Sequence, residues 1–234
     1  MPRDSIREVA TVTATVDLFA RQRLRQRRAA AAATFGVLAL LAAAVLVAAP
    51  EDVHTQAALP GYLDRAEGRM LLAWILSVLA GLAWLCLVVA LRRMLPRGGG
   101  RDLFVAAAVS GQAAAWIGVS LGAAAAVPDA HQIPLPVFTA FGEAAHLAGA
   151  AATAAMGLAL LGLAAAVRSG RAPLPRWFGW LTAGVGVVLI PAAVIGPVSL
   201  PVTALWLLAL GTLLLAKPPV TADAAESTDS RVPV

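Results

Sequence analysis

Met70–Leu91 reads MLLAWILSVLAGLAWLCLVVAL and is followed at once by Arg92 and Arg93. A helix of about 20 apolar residues, rising about 1.5 Å per residue, crosses the roughly 30 Å hydrocarbon core of a bilayer. This stretch has that length and carries no charge, so it reads as one membrane span that stops on two arginines at the headgroups. Barrel strands would alternate in polarity over about 10 residues, and this stretch does not.

Five further apolar stretches flank it, so the expected spans are 29–49, 70–91, 103–127, 137–167, 177–195 and 198–216. The fourth is too long to stand upright; it tilts or begins outside the hydrocarbon. The last two meet at Pro197-Val198-Ser199-Leu200-Pro201, where a straight helix cannot continue. They read as a tight hairpin, with one broken or re-entrant segment as the alternative. The first stretch is longer than the core of a signal peptide and lies behind 28 residues, so it is read as a permanent span.

The whole chain agrees with this class. Its 234 residues are 60% hydrophobic and 13% charged, with a mean hydropathy of +0.80. Ordinary soluble domains are about a quarter charged. The composition excludes a disordered chain, and the single cysteine, Cys86, excludes a disulfide scaffold. Cys86 reads as a small apolar residue of the second span.

Sixteen of the 18 basic residues fall in alternate segments: 1–28, 92–102, 168–176 and the tail from Lys217. The other two, Arg65 and Arg69, share the connection 50–69 with Glu51, Asp52, Asp64 and Glu67. The positive-inside rule then places both termini in the cytoplasm. The expected fold is an all-α bundle of six transmembrane helices in a bacterial plasma membrane. The net charge of +5 follows from this topology and from contact with anionic lipid at the arginine clusters, not from nucleic acid. No aromatic residue interleaves the run from Arg21 to Arg28 to stack on bases.

Residues 1–28 are expected to form a cytoplasmic segment. Ser5-Ile6-Arg7-Glu8 has capping-box spacing ahead of a short amphipathic helix with Ile6, Val9, Thr13 and Val16 on one face. Residues 217–234 read as a disordered cytoplasmic tail. Tyr62, Trp74, Trp177 and Trp180 read as interfacial anchors. Gly98-Gly99-Gly100 reads as a flexible cytoplasmic turn. Helices in lipid associate through small residues, and two stripes offer such contacts: Gly111, Ala115, Gly118 and Gly122 in span three, and Gly142, Gly149, Thr153 and Gly157 in span four.

Ionisable groups within a span are expensive and read as functional by default. Only Glu143 and His146 qualify; three residues apart, they share a helical face with the glycines of span four. Such a pair suits proton transfer, cation binding or part of a metal site. The plainer reading starts span four later and leaves Glu143 at the interface. Gln112 and Ser110 in span three can hydrogen-bond a neighbouring helix. His54, His131 and Asp129 lie in the outer connections and are candidate outer-face ligands. One Glu-x-x-His element is short of the two that a di-iron bundle uses, and a second buried histidine for haem is missing, so no metal or cofactor is expected. No phosphate-binding loop, Gly-x-Ser-x-Gly or His-Glu-x-x-His element occurs.

Arg168-Ser-Gly-Arg-Ala-Pro-Leu-Pro-Arg-Trp-Phe-Gly-Trp-Leu181, with Trp206–Gly211 further on, resembles bacterial multi-pass membrane proteins of the DUF4386-like kind, frequent in actinobacteria. The resemblance covers roughly 140–216. It implies an integral membrane protein and no particular activity. The expected function is a non-enzymatic structural or regulatory membrane component, as a homo-oligomer or beside a membrane partner. The alternative is a small proton- or cation-coupled carrier or channel using Glu143 and His146, and a metal-binding protein or enzyme ranks third.

Overall fold

The computed structural model describes residues 20–24, 26–41, 55–124, 133–169, 172, 174–195 and 199–216, and they are helical with short connections. Residues 20–24 and 26–41 form α1. Then come α2 (Leu59–Met94), α3 (Gly99–Ala124), α4 (Leu135–Arg168), α5 (Arg176–Ile195) and α6 (Ser199–Ala216). Four of them, α2 to α5, are long and apolar enough to cross a membrane. Large apolar side chains point outward along the helices, among them Leu147, Val194, Leu205 and Leu215. That surface belongs in lipid, and the chain is a helical membrane protein.

Two helices run well past their apolar stretches. The sequence places a connection over 50–69, yet α2 begins at Leu59, with Pro60 in its first turn. Its 36 residues span about 54 Å, far more than the hydrocarbon thickness. The extra turns are held by packing: Leu59, Tyr62, Leu63 and Ala66 bury against Ile133 and Phe138 of the α4 end. Tyr62 meets Phe138 edge-on at 6.2 Å, so it is a packing residue and not an open interfacial anchor. Likewise α1 is already helical through Arg21, Arg23, Arg27 and Arg28, all exposed.

The α4 N-terminus lacks a local side-chain cap. Gln56, 79 residues away, supplies it: Oε1 accepts from the Leu135 amide at 2.6 Å, and Nε2 donates to the Ile133 carbonyl at 3.2 Å. One orphan N–H of that helix start is thus satisfied from another segment, while those of Val137 and Phe138 bond the Pro134 carbonyl.

The antiparallel pair α3 and α4 makes the most extensive contact of the bundle among the described residues. Gly98, at φ +151°, makes the turn that only glycine adopts readily. Gly99 and Gly100 are not a loose linker, as the sequence suggested, but open α3. A Cβ on Gly100 would stand 2.9 Å from the Ala166 nitrogen, and one on Gly162 would stand 2.6 Å from the Phe104 nitrogen. Gly111 and Gly118 face Ala152, Ala155, Ala145 and Ala148 of α4 at similar range. The span-three stripe therefore works as read as far as Gly118; Gly122 meets nothing. The span-four stripe divides: Gly157 packs on α5, while Gly142 and Gly149 face open space.

Helices α5 and α6 reverse direction. Trp206 of α6 donates from Nε1 to Thr182 Oγ1 of α5 at 3.1 Å and stacks on Phe178. A single extended segment would hold these residues about 36 Å apart, at 1.5 Å per residue over their separation. α1 closes the bundle on α6, where Ala33 lies 3.7 Å from the Cβ position of Gly211. The expected amphipathic helix before residue 20 and the tail from 217 lie outside the described residues.

Candidate functional site

Packing is uneven along the bundle. Every buried residue of α4 lies between Gly157 and Val167, in the half toward the arginine-bearing end. There Phe104, Leu163, Val167 and Phe178 form a closed core. In the other half, Gly149 and Gly142 carry no neighbour at the Cβ position. Helices α3 and α4 stay in contact there, Gly118 against Ala145 and Ala148, and beside that pair a cavity of about 520 Å³ opens, with all six helices contributing to its wall. Pockets for small molecules run from about 300 to 1,000 Å³.

Alanine and glycine make up most of the wall, which is why space remains: short side chains leave the gap between the helices unfilled. Gly36 of α1, Gly81 of α2, Gly111 and Gly118 of α3, and Gly149 of α4 all border the cavity. Polar groups are few and spread over four helices: Ser77, Gln112, Trp116, His146, Thr153 and Thr203. His146 and Gly149 line the cavity and are also exposed, so the opening passes between them and the exterior.

Gly81 has a specific role here. The Gln112 amide and the Trp116 indole nitrogen both lie against its bare Cα, in the space a side chain would take. Larger residues at position 81 would expel both. Trp116 Nε1–H is buried without an acceptor among the described residues. An unmade hydrogen bond of this kind costs about 1–3 kcal/mol, so the wall carries an unsatisfied donor beside Gln112. By contrast, Trp84 donates to the Ala108 carbonyl at 3.5 Å and the Thr153 hydroxyl to the Gly149 carbonyl at 3.0 Å.

Of the residues singled out in the sequence, Gln112 and His146 line this cavity and Glu143 does not. Glu143 is exposed and forms no ion pair with His146 among the described residues. Among the described residues neither Gln112 nor Ser110 hydrogen-bonds a neighbouring helix; Ser110 is exposed, and Gln112 reaches α2 by packing on Gly81. Ser120 instead makes a side-chain bond between α2 and α3, accepting from Trp74 at 3.4 Å. His54, Asp129 and His131 lie outside the described residues. No cluster of three metal-ligating side chains occurs among the described residues. Cys86 is exposed on α2.

Sequence reading passed over Trp116, Ser77, Thr203 and Gly81. A signal existed for the first: Trp84 and Trp116 fall mid-span, away from the headgroup positions tryptophan usually takes. Hydroxyls on an apolar helix carry no such mark, since serine and threonine can bond a carbonyl one turn back and so occur anywhere along a span.

These features define a class, a polytopic helical membrane protein with a mostly apolar cavity inside its bundle. Comparison with known proteins returned no match, whether by family model, by curated sequence or by solved structure.

Proposed function

We propose that this protein is a non-enzymatic component of a bacterial plasma membrane that holds a small lipid-soluble molecule in its central cavity. In this reading six spans cross the bilayer and both termini are cytoplasmic. The helices α1 and α6 complete the six, and the arginines at the closed end of the bundle face the inner leaflet and its anionic lipid. Arg168 supports that placement, lying 3.6 Å over the Trp180 ring at the α4–α5 turn. The kinship suggested by Arg168–Leu181 belongs to the same proposal and adds no activity.

One observation carries the reading: a 520 Å³ cavity with a mainly apolar wall, open at one side, at mid-helix depth. A proton- or cation-coupled carrier built on Glu143 and His146 is less well supported, because only His146 borders the cavity.

Gly36 and Gly149 offer the test. Both line the cavity, and a Cβ at either meets nothing within 4 Å. Leucine at both positions fills the space while leaving the packed half of the bundle untouched. Native mass spectrometry of protein released from its own membrane is expected to show a retained small molecule that Gly36→Leu with Gly149→Leu removes. An equal spectrum for the two proteins overturns the reading.

A further inference from the structure

The polar groups of the wall have a sign. Among the described residues no aspartate or glutamate lines the cavity, and the one lining group able to carry charge is His146, which can only be positive. Gln112 forms no hydrogen bond among the described residues, and Trp116 beside it holds a donor without an acceptor. The carbonyls of Gly149 and Ala108 already accept from Thr153 and Trp84. The Gln112 amide thus keeps both N–H donors free, along with its Oε1, while no carboxylate lies among the described lining residues to pair with a cation. In an apolar, water-poor setting an uncompensated cation is expensive, whereas an oxygen acceptor meeting amide, imidazole and hydroxyl donors is satisfied.

Resting on the binding reading above, we propose that the cavity selects apolar molecules whose polar group is a hydrogen-bond acceptor, a carboxylate or a neutral carbonyl, and rejects cations. Gln112 is the central donor, held by Gly81, with His146 at the opening. The apolar remainder of the ligand lies along the alanine and glycine wall.

Three probes with one brominated dodecyl chain separate the outcomes: the carboxylate, its methyl ester and the trimethylammonium. Each is titrated into the full-length protein in nanodiscs, with quenching of tryptophan fluorescence as the readout; Trp84 and Trp116 border the cavity. Only the quenching that Gly149→Leu abolishes counts as cavity binding. The carboxylate or the ester is expected to bind at least roughly tenfold more tightly than the trimethylammonium, the size of one charge-assisted or well-made hydrogen bond. A preference for carboxylate over ester assigns the anion; equal binding assigns the neutral carbonyl. Gln112→Leu removes the preference, and Gln112→Glu reverses it by placing an anion in the wall. Cavity quenching that is equal for all three probes, or stronger for the cation, overturns the selectivity and leaves the binding reading standing. Absence of any Gly149→Leu-sensitive quenching overturns both.

Discussion

Gly157 of α4 and Gly186 of α5 lie back to back. A Cβ on either would come within 2.8 Å of the other's carbonyl oxygen. Neither helix can approach so closely with a side chain in the way, and in lipid such approach is what binds helices. Alanine raises helix propensity by up to about 1 kcal/mol over glycine, yet here it forces backbone against backbone.

Gly157→Ala and Gly186→Ala are therefore expected to lower stability by about 1–3 kcal/mol, the usual cost of overpacking. Gly149→Ala, where nothing lies within 4 Å, is expected to be neutral or stabilising. Thermal unfolding in detergent, followed by circular dichroism, separates these outcomes. Equal gains at Gly149 and Gly157 would show that propensity, not the crossing, governs.

The hydrogen bond from Trp206 to Thr182 is fully buried. Thr182→Val removes the acceptor and strands the indole N–H, at an expected cost of about 1–3 kcal/mol. Trp206→Phe removes the donor along with part of a buried ring. A double-mutant cycle is expected to give a coupling of about 0.5–1.5 kcal/mol; a coupling of zero would mean the bond contributes nothing.

Gln56 caps α4 from a distant segment through two hydrogen bonds. Gln56→Ala is expected to speed hydrogen exchange in the first turn of α4 several-fold. Exchange between Gly157 and Val167 should stay unchanged, since local openings are confined to weakly packed parts. A uniform rise along α4 would mean that the cap supports the whole helix.

Six spans with both termini inside can be checked by labelling. In a Cys86→Ser background, an impermeant maleimide is expected to label Thr55→Cys in intact cells. Ser169→Cys and Ser227→Cys should react only after permeabilisation. Labelling of Ser169→Cys from outside inverts the topology and removes the placement of Arg168 at the inner leaflet.

The helices themselves were legible in the residues. Apolar length sets α2 to α5, the proline-bearing stretch from Pro197 to Pro201 marks the passage from α5 to α6, and arginines end the spans. Helix ends were less legible. The additional turns of α2 carry Asp64, Arg65, Glu67 and Arg69, and hydropathy cannot distinguish a charged helix from a charged loop. Only burial of Tyr62 against Phe138 and capping by Gln56 reveal them, and both depend on residues more than 70 positions away.

For the site, the chain by itself marked Gln112 and His146 as polar groups inside spans, but paired His146 with Glu143, its neighbour in sequence. The tertiary structure sets His146 on the cavity wall with Gln112 and leaves Glu143 off it. The same division holds for the glycines. Composition determines that small residues will carry the contacts, because lipid gives helices no other reason to associate. It does not determine which ones, since alanine and glycine recur on every face. Rotational phase and crossing angle decide that, pressing Gly157 on Gly186 and leaving Gly149 open, and the cavity is what the second choice leaves behind.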